Sequence, residues 1–447
     1  MRILINKRWL ALGGIAVLLF GFLIFILTRH SALLPQRVSF ESGIVPSITE
    51  DNTYLVATNR NFVAYNYVTG VSKTKLKQDA TLPTISQTSW SPDEKKVAFE
   101  ASGYVPGDTL AQILTQYGLD LSGDYWWVLD STSGTYMLLG SSVGSVSWLP
   151  NSSGFYFTHI YPQSGDGDIY SYKLGDSGTN YIMLVPGLSS VQAVDDGFVA
   201  TTTSADSSQL TYYDDDSNFK PNVLTKNLVG NVAVSPKGNA LTFLESKDQS
   251  EGQSPQYGEL MLAKGDFAKP VISTIDKYTY LNASWTPQGD GFFYLDDSGK
   301  IVLQSLSTGK SKSYSVKGLA EITLLKAFGE TTIETADRNG TYFLSLNKKE
   351  KVIDPLGNIN SLENAPVTND NYSISYYPQS STFIATIHKA PVDKYMGQVN
   401  TYFKDNGVDP NLVDLIFDYD SSVEVPLAPT APSTFVLPKL GADSDID

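Results

Sequence analysis

WTPQGDGFFYLDDSGKIVLQSLSTG, residues 285–309, decides how the rest of the chain is read. Trp285 leads into a turn built on Pro287, Gln288 and Gly289, and the aromatic run Phe292-Phe293-Tyr294 follows. Asp296-Asp297-Ser298-Gly299 then has the chemistry of a hairpin turn, Ile301-Val302-Leu303 returns, and Ser307-Thr308-Gly309 turns the chain again. Four more copies of the opening phrase are legible. They are Trp90-Ser91-Pro92-Asp93 into Val97-Ala98-Phe99, Trp148-Leu149-Pro150-Asn151 into Phe155-Tyr156-Phe157, Val234-Ser235-Pro236-Lys237-Gly238 into Leu241-Thr242-Phe243, and Tyr377-Pro378-Gln379 into Phe383-Ile384-Ala385. A period of ~40 to 50 residues, in a unit too small to bury both of its faces alone, predicts a radial ring of small sheets, a β-propeller.

Extending the period across segments that lack the full phrase gives an all-β chain of eight blades, with seven as the alternative, each of four antiparallel strands. The segments begin near residues 45, 84, 143, 191, 231, 281, 321 and 372. Apolar side chains at the start of each blade must pack on the neighbouring blade, so Trp90, Trp148 and Trp285 are assigned to the seams between blades.

Trp90-Ser91-Pro92-Asp93 resembles the W-S-P-D-G blade opening of the TolB carboxy-terminal repeats and the wider WD-like bacterial propellers, with Glu94 in place of the glycine. The other four copies are degenerate. Over roughly residues 45–425 the resemblance implies a propeller used for binding and names no partner, because scaffolds, peptidase-associated propellers and sugar enzymes share the phrase. A membrane span departs from TolB, which is a soluble periplasmic protein, so a role in that envelope system is not implied.

That span is residues 9–28, WLALGGIAVLLFGFLIFILT, which carry no charge and as a helix reach about 30 Å, the thickness of a bilayer core. Thr28-Arg29-His30-Ser31 has no small-x-small cleavage pattern, which favours an uncleaved anchor over a signal peptide. Arg2, Lys7, Arg8 and the amino terminus bias residues 1–8 to the cytoplasm, which places the ring outside the cytoplasm. The expected order is therefore a cytoplasmic terminus at 1–8, an anchor at 9–28, a linker at 29–44, a propeller at 45–425, and a Pro-rich acidic tail at 426–447 expected to be disordered.

Net charge is −15, and residues 1–37 hold five basic and no acidic side chains, so the other 410 residues set 27 basic against 47 acidic groups, or −20. That field opposes nucleic acid as a partner. The absence of cysteine removes disulfides, thiol nucleophiles and thiolate metal sites, and in a large extracytoplasmic domain it reads as bacterial.

Two segments are longer than the rest. Leu110, Ile113, Leu114 and Tyr117 in one, and Tyr395, Val399, Tyr402 and Phe403 in the other, recur at helical spacing, so a short helix is expected between the second and third strands of each blade. The rim around Tyr104, Tyr117, Tyr395 and Tyr402 is the expected partner-binding surface. The competing reading is that both helices only cap their own blades.

Other motifs carry less. Gly140-Ser141-Ser142-Val143-Gly144 fits G-x-S-x-G, but Ser145-Val146-Ser147-Trp148 after it reads as a strand, whereas a nucleophile elbow needs a helix. Gly165-Asp166-Gly167-Asp168 and Asp214-Asp215-Asp216 offer oxygen ligands without a full calcium-loop pattern. No catalytic residue, cofactor or metal site is assigned. The expected function is a membrane-anchored extracytoplasmic propeller that binds or scaffolds a protein, a peptide or a cell-envelope polymer. A hydrolase or lyase acting on envelope glycans, and an accessory part of a secretion or pilus apparatus, are the alternatives.

Overall fold

The computed structural model describes most of residues 36–423; residues 1–35, 103–123, 247–257, 347–355 and 424–447, with some shorter loops, lie outside the described residues. Eight four-stranded sheets follow one another, within residues 47–77, 84–140, 143–185, 188–225, 228–279, 284–314, 324–345 together with Gln36–Val38, and 367–419. From the first sheet to the seventh, neighbouring sheets meet through their first strands, which places those strands around a common axis. The eighth sheet closes on the first: Phe383 and Ile387 share one core with Val63 and Tyr65, and Asn411 Nδ2 donates to Ser72 Oγ at 2.9 Å. This is the arrangement of a β-propeller.

The aromatic runs that mark the sequence acquire a physical meaning here. Successive side chains of a strand point to opposite faces, and both faces of a blade are buried between neighbours. Phe292 therefore packs towards blade five with Leu260 and Leu262, while Phe293 packs towards blade seven with Ile333. In blade three, Phe155 and Phe157 join Trp126 of blade two, and Tyr156 between them meets Phe198 of blade four at 4.9 Å. A strand buried on both sides cannot alternate with polar residues, so it reads as a continuous run.

The Ser-Trp dipeptides tie first strands together in both directions. The Trp148 indole N–H donates to the Ser89 carbonyl of blade two at 2.9 Å, while Ser147 Oγ accepts the Ala193 N–H of blade four at 2.8 Å. Blade six repeats this: Trp285 donates to the Ala233 carbonyl at 2.8 Å and Ser284 Oγ accepts the Ala327 N–H at 2.7 Å. The Pro-containing turns also touch. Gly238 has φ +72°, its carbonyl accepts the Asp195 N–H at 3.1 Å, and a Cβ there would lie 2.5 Å from Pro150.

The structure departs from the sequence-based expectation at both ends of the ring. Gln36–Val38, inside the expected linker 29–44, is a strand paired antiparallel with Gly340–Ser345, so the chain's start supplies the outer strand of blade seven. Blade eight begins earlier than expected, with Val367–Thr368 ahead of Tyr372–Tyr377. Its outer strand, Asp414–Tyr419, runs parallel to Thr382–Ile387, against the expectation of antiparallel strands throughout. The insert explains why. Helix α1 (Ile359–Glu363) precedes this blade, and helix α2 (Val392–Asp405) leaves one end of Thr382–Ile387 and carries the chain back to the other. Fourteen helical residues span about 21 Å, close to the length of a six-residue strand, so a crossover of that size re-enters in parallel. The insert thus falls between the third and fourth strands, where the second and third were expected.

The expected insert helix of blade two, the span at 9–28 and the tail at 426–447 lie outside the described residues. Among the described residues no helix is long and apolar enough to cross a membrane.

Two outcomes are expected. Trp285→Phe keeps the ring but removes the indole hydrogen bond to the Ala233 carbonyl, which Thr242 Oγ1 also reaches at 3.4 Å, lowering unfolding free energy by about 0.5–1.5 kcal/mol in denaturant titration, and Trp285→Ala lowers it by about 3–5 kcal/mol. Replacing Gln36–Val38 by Pro-Gly-Pro unpairs the edge of blade seven, which hydrogen exchange reads as faster exchange at Gly340–Ser345 with blades three to five unchanged.

Candidate partner-binding surface

Of the four tyrosines expected to form the binding rim, Tyr104 and Tyr117 lie outside the described residues. Tyr395 is buried with Val399 and Phe403 along one stripe of α2, and the Phe403 ring meets Phe383 edge-on at 5.1 Å. Tyr402 is half-buried against the same core. The opposite side of α2 shows Asp393, Lys394, Gln398, Thr401 and Lys404 to solvent. The apolar stripe is spent on the helix's own blade.

Around the axis, the first strands of blades two to five enclose a hollow of about 390 Å³. Its polar lining comes from Ser89, Ser145, Ser147, Ser190, Gln192 and Ser235, and among the described residues no carboxylate, histidine or lysine lines it. Several of these groups already serve the seams: Ser147 holds Ala193, and Gln192 Nε2 donates to the Val232 carbonyl at 2.8 Å. Acid–base chemistry has no donor pair in this hollow.

Blade three presents a different surface. Its face towards blade two carries a ladder of rings across three strands, Gly154–Ile160, Gly167–Lys173 and Asn180–Val185. Phe157 stacks on Tyr170 at 5.2 Å, and Tyr170 meets Tyr181 edge-on at 5.6 Å. Blade two covers the inner part of this ladder, whereas Tyr181 is 57% exposed, Leu184 51% and Tyr161 39%. Leu184 lies directly across from Asp168, and the Tyr161 hydroxyl donates to Asp168 Oδ2 at 2.5 Å. The His159 ring lies 5.0 Å from that of Tyr161.

The hydrogen bond to Asp168, then burial and the carboxylate's charge, push the Tyr161 phenol up to about 12. Burial, then Asp168, moves Tyr170 in the same direction. Both phenols stay protonated donors at neutral pH beside a buried carboxylate. The patch is therefore aromatic, hydrogen-bonding and locally acidic.

The acidic motifs are engaged within the fold. Asp166 Oδ1 accepts the Gly187 N–H at 3.2 Å, and Asp214 Oδ1 accepts that of Asp216 at 2.9 Å. Both oxygens of Asp215 lie 2.8 Å from the Tyr156 hydroxyl, and burial first, then Asp215, drives that phenol upward. Among the described residues no three His, Asp or Glu side chains gather as a metal cage. The G-x-S-x-G residues run from strand Thr135–Gly140 through a turn, with Ser142 at φ 60°, into strand Val143–Trp148, which is strand-turn-strand.

No known family's sequence profile matches this chain, and no curated protein matches it by sequence. Among solved structures, the Cps50 (Swd1) β-propeller domain of Myceliophteria thermophila is 8% identical at a TM-score of 0.45, covering 69% of this chain and 98% of that one. TolB from Acinetobacter baumannii is 13% identical at 0.33, with 68% and 78% covered. An oligogalacturonate lyase in complex with manganese is 12% identical at 0.41, with 68% and 77% covered. At these values no ligand, activity or partner passes to this chain.

Sequence reading missed Tyr161, Tyr181 and Leu184 because it weighed the helical inserts and not the outer strands. The signal was there: Asn180-Tyr181-Ile182-Met183-Leu184-Val185 contains no charge.

The Tyr161–Asp168 contact sets a pH dependence. The folded phenol resists ionisation relative to the unfolded value of about 10, so its contribution to stability is whole below pH ~10 and is lost as pH rises through about 12. NMR of ring-labelled tyrosine is expected to show Tyr161 titrating near 12, and Asp168→Asn to bring it back towards 10.

Proposed function

We propose that this chain is a membrane-anchored, extracytoplasmic β-propeller that holds a polypeptide at the outer part of blade three, as a binding or scaffold module of the cell envelope. The carrying observation is the patch of Tyr161, Tyr181 and Leu184, which gathers two tyrosines and a leucine in solvent on one blade. Aromatic residues joined to hydrogen-bonding hydroxyls supply much of the energy at protein interfaces. The uncharged residues 9–28 and the basic residues before them support the anchor and its orientation. The hollow at the axis, without ionisable lining, favours binding over glycan hydrolysis or elimination there.

Photo-crosslinking in intact cells tests this reading. A benzoylphenylalanine at position 181 is expected to give one reproducible adduct, and the same probe at Lys312 on blade six is expected to give none. An externally added protease is expected to digest the ring of the full chain in spheroplasts. Equal adducts from both positions, or a ring protected until the membrane is lysed, would overturn the proposal.

A further inference from the structure

We infer that the outer strand of blade three, Asn180–Val185, is a docking edge for an extended segment of a partner protein whose apolar or β-branched residues alternate between basic flanks; the inference rests on the binding reading above and adds the site and the partner's chemistry.

A sheet edge exposes unpaired N–H and C=O groups, and soluble proteins protect such edges with charges, proline or cover. Six blades here follow that rule. The outer strand of blade one contains Lys73, Lys75 and Lys77; that of blade four, Lys220 and Pro221; that of blade five, Asp276 and Lys277; that of blade six, Lys312; that of blade eight, Asp414 and Asp418. Blade seven is covered by Gln36–Val38, which brings Arg37. Blade two has an uncharged outer strand, Thr135–Gly140, but its Met137, Leu138 and Leu139 are buried. Blade three alone combines an uncharged, proline-free outer strand with exposed Tyr181 and Leu184, and among the described residues nothing pairs with its outer side. The bulge at Ile182 does not explain the difference, because the outer strands of blades one, two, four and five are bulged as well.

A docked strand would add to the sheet by backbone pairing and lay alternate side chains against Tyr181 and Leu184. Backbone pairing requires N–H and C=O groups at the regular spacing of an extended peptide, which a polysaccharide lacks. Charge decides between partners: outside its first 37 residues the chain sums to −20, which opposes a second copy and favours basic flanks.

The test uses the full-length chain in detergent micelles with three synthetic decapeptides. One is Lys-Lys-Val-Thr-Val-Thr-Val-Thr-Lys-Lys, one has Glu in place of Lys, and one has Pro in place of Val. The Lys-flanked peptide is expected to slow amide hydrogen exchange at 180–185 about tenfold or more, leaving the outer strands of blades one and six unchanged, and to bind about tenfold more tightly than the Glu-flanked one, with the gap narrowing in high salt. The Pro peptide is expected to give no protection. Leu184→Lys and Tyr181→Lys, both at exposed positions, are each expected to weaken binding about tenfold while leaving the thermal unfolding midpoint in place. Protection spread over the charged edges, protection by the Pro peptide, or no protection at 180–185 would overturn the inference. Protection that rises with protein concentration alone would also overturn it and assign the edge to a second copy. If the probe at 181 captures a partner in cells while no peptide protects 180–185, strand pairing fails and the binding reading stands; if neither occurs, both fail.

Discussion

The blades of this ring pack between neighbours on both sides, and the rest of the structure answers to that constraint. A four-stranded sheet has neighbours on either side, so adjacent residues of one strand, such as Phe292 and Phe293, belong to two different cores. Each fully buried ring of this size is worth roughly 1.5–3 kcal/mol in burial, and a blade in isolation would forfeit the part made against its neighbours. The Ser-Trp dipeptides add direction, because the indole N–H reaches back one blade and the serine hydroxyl reaches forward one. Stability therefore depends on a closed ring.

Closure is where this chain is least repetitive. The amino-terminal strand joins blade seven, then the chain re-enters at Ser47 as the first strand of blade one, so one segment holds the two blades on either side of blade eight. Blade eight completes its own sheet through α2, which folds back along it and places Asn411 against Ser72 of blade one. A helix used in this way must bury its apolar stripe at home. That is why Tyr395, chosen from its spacing as a surface group, lies in the core.

Function then falls to surfaces that the seams do not consume. In blade three the aromatic ladder continues outward past the cover of blade two, so Tyr181 and Leu184 have no neighbouring blade to fill. Asp168 accepts the hydrogen bond of the Tyr161 hydroxyl and, with burial, raises both phenols, which leaves a partly buried carboxylate and two rings beside apolar surface and within an overall negative field. Such a combination suits a basic polypeptide far better than a phosphate backbone.

Local chemistry was enough to reveal the repeat. The Trp-x-Pro turns, the paired aromatic runs and Asp296-Asp297-Ser298-Gly299 each report interactions made within a few residues or with an adjacent strand, so strand positions, blade count and the seam role of Trp148 and Trp285 were legible from the chain alone. The α2 helix was legible for the same reason, being a matter of spacing between neighbours in sequence. Pairing across the chain was not. Nothing near Gln36 indicates Phe343 as its partner, because the register between them is set by ring closure across some three hundred residues. The exposure of Leu184 follows in turn from where blade two stops covering blade three. Composition and period fixed what each strand is, while the packed ring alone determined which side chains it left in water.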